Sequence, residues 1–444
     1  MIKRSSLASL SFLLLAALLS GCGGSDTTIV ERDPIPIDDD HDHDHDHDHD
    51  DETPHRGRLL VSLKNDAKVH IIDINEKALL EAFTLSEPAS ALYTSPGYRY
   101  GFVVQRTADK VNVIDGGAYQ ENHGDHMHDI IQAPQWMSFH TDASRPTHVT
   151  HSEDQTAIFF DGNASTGTPA AVVVFSEADI AGNGSGTWLE YTTHMHGAAQ
   201  ARGDYLLSTI RDPLSATTLP DRVGLYHAHH GHFDEEEVFS ETCPGLHGSA
   251  QRENQVAFGC TDGVLLITQD DDTFTASKIA NPAAFTGSKR IGTLLGYHSA
   301  SEFVGIASGE FFRVTAEGIT AIAWQDTSLE TAPSALGYGY ADSGEFFVIL
   351  DSQGWITLLN TEDWSIAKRI QAITSNLAAL PAGSTFELAL TPGHIVYVSD
   401  PIANQIKQID LDQGEISDTI QLSETPNKIT WIGIPEPETA EHHH

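Results

Sequence analysis

The chain has 444 residues and carries 63 aspartates and glutamates against 24 lysines and arginines, a formal charge of −39. That balance excludes nucleic acid as a partner, whose phosphates need an excess of cationic side chains, and favours cations or a basic protein surface. Histidine, which titrates near neutrality and is the commonest metal ligand, occurs 25 times, and thirteen of these fall between His123 and His247.

Residues 1–22 read as a lipoprotein signal. Lys3 and Arg4 precede an apolar run, Leu7 to Leu19, that is too short to span a bilayer comfortably, and Leu19-Ser20-Gly21-Cys22 has the lipobox pattern. Cys22 would then be the lipidated N-terminus of a periplasmic protein, and Gly23 after it points to the outer membrane; an ordinary signal peptide is the plainer alternative. Residues 23–57 lack the apolar content to fold and read as a disordered acidic tether. Within it His41, His43, His45, His47 and His49 alternate with aspartate. An extended chain puts these imidazoles on one side, as several interchangeable low-affinity metal sites, or simply as a solubilising spacer. Residues 437–444 read as a disordered C-terminus.

From 58 to 436 no long helical period occurs. Eight strand–turn–strand units follow one another: RLLVSLKNDAKVHIIDI, YRYGFVVQRTADKVNVID, TAIFFDG with AAVVVFS, DYLLSTI with VGLYH, QVAFGCTDGVLLIT, SEFVGIASGEFFRVT, EFFVILDSQGWITLLN and HIVYVSDPIANQIKQID. Their recurrence roughly every 40 to 56 residues predicts an all-β chain folded as a single β-propeller of eight blades, with seven as the alternative. The run Lys428 to Ile434 is expected to pair with the strand near Leu59 and close the ring. Cys243 and Cys260, in an exported chain, pair as a disulfide or serve as two thiolate metal ligands.

His148, His196 and His247 each stand seven residues before the first hairpin strand of three consecutive units. Equivalent positions on neighbouring blades can converge at the channel mouth, and three imidazoles suit tetrahedral Zn(II) at about 2.0–2.1 Å per nitrogen. Any one of them alone reads more simply as a core histidine. His194, two residues from His196, is expected to share its strand face, whereas His151, three from His148, is expected to point the other way. Two further clusters sit on connections after third strands. HGDHMHD holds His123, His126 and His128, and YHAHHGHFDEEE holds His227, His229, His230 and His232, a secondary metal cluster. Short steps let a flexible loop wrap an ion, though solvated polar loops have the same composition.

The segments Thr147 to Gly162, Cys243 to Leu266 and Arg290 to Gly296, with the HGDHMH cluster, resemble the AztD zinc metallochaperone family. The resemblance implies an exported β-propeller that binds zinc and delivers it to the solute-binding protein of a zinc ABC importer. It also implies that His123, His126, His128, His148, His151 and His247 are the family-like histidines, and that Cys243 and Cys260 form the family-like disulfide. Two features depart from it: Ser249 stands where members tend to have Glu, and the lipobox implies a membrane anchor.

The expectation is a zinc-binding metallochaperone and not an enzyme. A zinc-dependent hydrolase is the runner-up, since an open three-histidine zinc can activate water, but neither Gly-x-Ser-x-Gly nor HExxH occurs. A copper-binding role would draw on Met127 and Met195, each between two histidines. A plain interaction scaffold is the remaining alternative.

Overall fold

Apolar side chains on both faces of a strand require cover on both sides, and this chain supplies it by setting four-stranded antiparallel sheets face to face. The computed structural model describes residues 57–122, 124, 127–325 and 332–435. The lipobox with Cys22, the His/Asp tail, His123, His126 and the C-terminal residues from 436 lie outside the described residues. The described residues form eight four-stranded sheets in chain order, plus one two-stranded hairpin; the third and fourth sheets touch through a parallel bridge between Trp188 and His232. The fold is an all-β propeller.

All eight strand–turn–strand units are the second and third strands of their sheets, and the inner strand precedes each of them in the chain except in the first sheet. Arg58–Leu63, Tyr100–Gln105 and Ile395–Asp400 are buried at every position. Outer strands alternate instead, as in Thr273–Ala280. Alternation decides which neighbour each side chain meets. In Gln155–Phe160, Ala157 and Phe159 join the core shared with the fourth sheet, while Ile158 and Phe160 join the core shared with the second. Eight such clusters link each sheet to the next, and the last packs Ile406 and Tyr397 of the eighth sheet on Leu59 and Ile72 of the first.

Closure uses both ends of the folded chain. Pro426–Ile432 is the inner strand of the first sheet and pairs antiparallel with Arg58–Leu63, Leu59 opposite Trp431. The inner strands of the third, fourth and fifth sheets carry polar residues, and their side chains stitch neighbouring sheets together: Thr150 Oγ1 donates to Ala199 O (2.8 Å), Gln200 Nε2 to Ser249 Oγ (2.9 Å) and Gln251 Nε2 to His151 O (2.8 Å).

The described residues of the two histidine-rich connections pair as β-strands. The first lies between the third and outer strands of the second sheet, where Ala118–Asn122 pairs with Met127–Ile131 and His128 stands exposed opposite Glu121. The second is the junction of Arg222–His229 with His232–Val238, third and outer strands of the fourth sheet. Antiparallel pairing, with a register shift between Leu225 and Tyr226, turns the sequence YHAHHGHFDEEE into a ribbon.

Cys243 and Cys260 are disulfide-bonded, 17 residues apart, and both are fully buried. The bond ties the segment leading to His247 to the end of Gln255–Cys260. Closing a loop of this size is worth about 3 kcal/mol in the chain-entropy model. Replacing both cysteines by Ser is expected to lower unfolding free energy by about that amount in urea titrations, and reductant should affect the unreplaced chain alone.

Candidate metal centre

Strand polarity sets the ends of the ring. In every sheet the inner strand starts, and the second strand ends, at one rim; third strands end, and outer strands start, at the other. His148 lies near the start of the inner strand Pro146–His151, and His196 and His247 lie in the segments that lead into Ala199–Arg202 and Ser249–Arg252. All three therefore belong to one rim, on three consecutive sheets. His128 and the ribbon histidines belong to the opposite rim.

The three rings meet. His148 Nε2 is 3.4 Å from His196 Nε2, and His196 Nε2 is 3.1 Å from His247 Nε2; ring centroids are 4.9, 4.9 and 6.1 Å apart. Donors at 2.0–2.1 Å from a tetrahedral ion stand about 3.3 Å from one another; His196 has that spacing to each neighbour, while His148 and His247, on either side of it, do not come within 4.8 Å of each other and would have to close on a shared ion.

The outer nitrogens of two rings are held by groups that can only accept. His196 Nδ1 is 3.0 Å from Asp161 Oδ2, and His247 Nδ1 is 2.6 Å from the carbonyl of Gly292. Each Nδ1 therefore carries a proton, and each ring directs its Nε2 at the other across 3.1 Å, a spacing that one shared proton or one metal ion can fill. Carboxylate–histidine and carbonyl–histidine pairs of this kind are the outer shell of histidine metal sites, fixing tautomer and ring direction. Arg106 Nη2 donates to Asp161 Oδ2 at 2.8 Å, while the buried Asp161 Oδ1 has no partner among the described residues.

Burial first, and the neighbouring His196 second, push the His148 imidazole down to about 4. Burial likewise lowers His247, against the opposing hydrogen bond to Gly292. Both rings are thus neutral at pH 7 and able to donate a lone pair.

The other sequence candidates are placed differently. His194 lies in irregular chain and not on a strand, so the expected shared face with His196 does not exist; its carbonyl accepts from Arg211 Nη1 (3.2 Å), and no ring contact joins it to the three. His151 sits at the far end of its inner strand, stacked on Phe102 with Nδ1 3.2 Å from Thr156 Oγ1, and burial pushes it down to about 4. Met195 turns its thioether into the core, where Thr209 Oγ1 donates to it at 3.9 Å. Ser249 offers no carboxylate. His227, His229, His230 and His232 are all on the ribbon. Asp161, Gly292 and Arg106 were not read as site residues: Asp161-Gly162 after a strand has the form of an ordinary turn, and a carbonyl leaves no trace in a sequence.

A propeller with a three-imidazole centre at one rim defines a candidate transition-metal protein of the β-propeller class. No protein-family model matches the chain. It is 27% identical over 219 residues to the zinc chaperone AztD of Citrobacter koseri (strain ATCC BAA-895 / CDC 4225-83 / SGSC4696), covering 49% of this chain and 50% of that protein. The match thus spans about half the length of the curated relative. Two solved structures of Citrobacter koseri AztD share the fold. The apo form has a TM-score of 0.69 over 84% of this chain and 97% of that one, and a second structure has 0.71 over 86% and 99%, each at 21% identity. The comparisons thus find a similarity to AztD in sequence over about half of the chain and in fold over most of it.

Because His148 and His151 have folded values near 4 against an ordinary 6.5, the unfolded chain binds more protons between those values. The stability these neutral rings confer is complete above about pH 6.5 and is lost as pH falls towards 4. Urea titrations of metal-free protein across that window are expected to show the decline, and NMR titration should place the His148 ring near 4, moving upward in His196→Gln.

Proposed function

We propose that this protein is a zinc metallochaperone whose cargo site is the centre formed by His148, His196 and His247. The observation that carries the reading is the pair of Nε2 atoms directed at each other across 3.1 Å, each ring oriented by an acceptor on its Nδ1. The similarity to a relative named a zinc chaperone supports zinc as the metal. Three protein nitrogens leave one tetrahedral position for water or for a ligand from a partner, as a site that must release its ion requires. The partner is then the solute-binding protein of a zinc ABC importer, and the chain works in the periplasm, anchored through Cys22. The His41–His49 run gathers ions at low affinity.

Copper is the weaker cargo, because Met195 is committed to the core. No reaction is assigned to the centre.

Metal analysis of the purified protein should find zinc. Replacing His148, His196 and His247 together by Ala should remove one tight site from a zinc titration, while replacing the five tail histidines by Asn should remove only weak sites. Retention of full affinity in the triple variant overturns the reading. Asp161→Asn, which takes away the carboxylate behind His196, is expected to weaken zinc binding by about 10- to 100-fold. Zinc-loaded protein mixed with the metal-free solute-binding protein should pass its ion faster than it loses zinc to a chelator.

A further inference from the structure

The ribbon of the fourth sheet has two unlike faces. Tyr226, Phe233 and the partly buried Ala228 pack into the core shared with the third sheet. The other face carries His227 and His229 on one strand and His232, Asp234 and Glu236 on its partner, every one a metal-ligating type. Cross-strand pairing sets His229 opposite His232 and His227 opposite Asp234. The two-residue turn between them, His230-Gly231, has φ of 51° and 85°, the left-handed pair of a tight type I′ hairpin. Trp188 N donates to Gly231 O at 3.1 Å and bridges to His232, so the neighbouring sheet holds the turn in place.

On this platform His229 Nδ1 is 3.8 Å from Asp234 Oδ2 and His232 Nε2 is 3.5 Å from Asp234 Oδ1. One donor atom from each of the three residues lies within 4.8 Å of the other two. That is slightly wider than the spacing of ligands on one zinc, and the three side chains are 60%, 55% and 63% exposed, free to rotate the remaining distance. A solvated polar ribbon needs only polar side chains; it does not need imidazoles in register across the strands with a carboxylate between them.

We infer that the ribbon is a second metal site, in which His229, His232 and Asp234 bind a divalent ion of the zinc class on the rim opposite the His148–His196–His247 centre. Its two nitrogens and one carboxylate match borderline-soft ions, and full exposure leaves the remaining coordination to water. The inference rests on the ribbon alone and does not require the cargo reading of the other rim.

Diethylpyrocarbonate modification of the full chain, read residue by residue by mass spectrometry during titration with Zn²⁺ alone, tests it. Zinc is expected to protect His229 and His232 while the exposed His298 stays reactive. Even loss of an outer-shell partner costs about 10- to 100-fold in affinity, so Asp234→Asn should raise the zinc concentration for half protection by at least about tenfold. Protection of His148, His196 and His247 in the same samples should be unchanged, which also reports that the variant is folded. If His229 and His232 react like His298 at saturating zinc, or if Asp234→Asn leaves their protection where it was, the site does not exist. Loss of protection at His148, His196 and His247 with the ribbon still protected would instead count against the cargo site alone.

Discussion

Everything at the metal centre depends on the two-sided burial of the middle strands. Because Ala157 and Phe159 face one neighbour while Ile158 and Phe160 face the other, each sheet is clamped between two others, and the angular step around the ring is set by core packing. Imidazoles about fifty residues apart in the chain reach His196 from both sides, within 3.4 Å, because that step places three consecutive sheets side by side. The antiparallel closure of Pro426–Ile432 on Arg58–Leu63 keeps the ring from opening and so preserves the step. The geometry of the histidine cluster is a consequence of hydrophobic packing several residues away from it.

Within that frame the rings are oriented from behind. Asp161 and Gly292 turn the Nε2 atoms of His196 and His247 towards each other, and burial lowers the affinity of His148 and His247 for protons. Such an arrangement is organised ahead of any ligand by groups outside the cluster. The Asp161 carboxylate has one oxygen engaged and one buried without a partner, so it retains capacity to respond when charge arrives.

How much was legible follows from burial. Second and third strands are covered on both faces and appear as continuous apolar runs such as RLLVSL and IVYVSD, which is why the eight strand–turn–strand units stood out. Inner strands such as SAQR and AQAR face the channel with polar side chains and carry no apolar signature, so only their spacing from the hairpins betrayed them. The shared offset of His148, His196 and His247 was readable for the same reason. Strand periodicity does not fix the face of His194, because its segment is irregular chain, and the ribbon has the composition of a loop because its apolar face is reduced to Tyr226, Ala228 and Phe233. Partners contributed by the backbone, above all the Gly292 carbonyl, have no sequence counterpart.

The disulfide has a reach beyond stability. Cys243 stands four residues before His247, and Cys260 ends the strand whose Gly259 carbonyl accepts from the His247 amide. Without the bond, the segment carrying His247 keeps its backbone hydrogen bonds and the buried Leu246 but loses its one covalent tie to the neighbouring strand. The position of one imidazole in the cluster is thus written partly into a bond that touches none of the three rings.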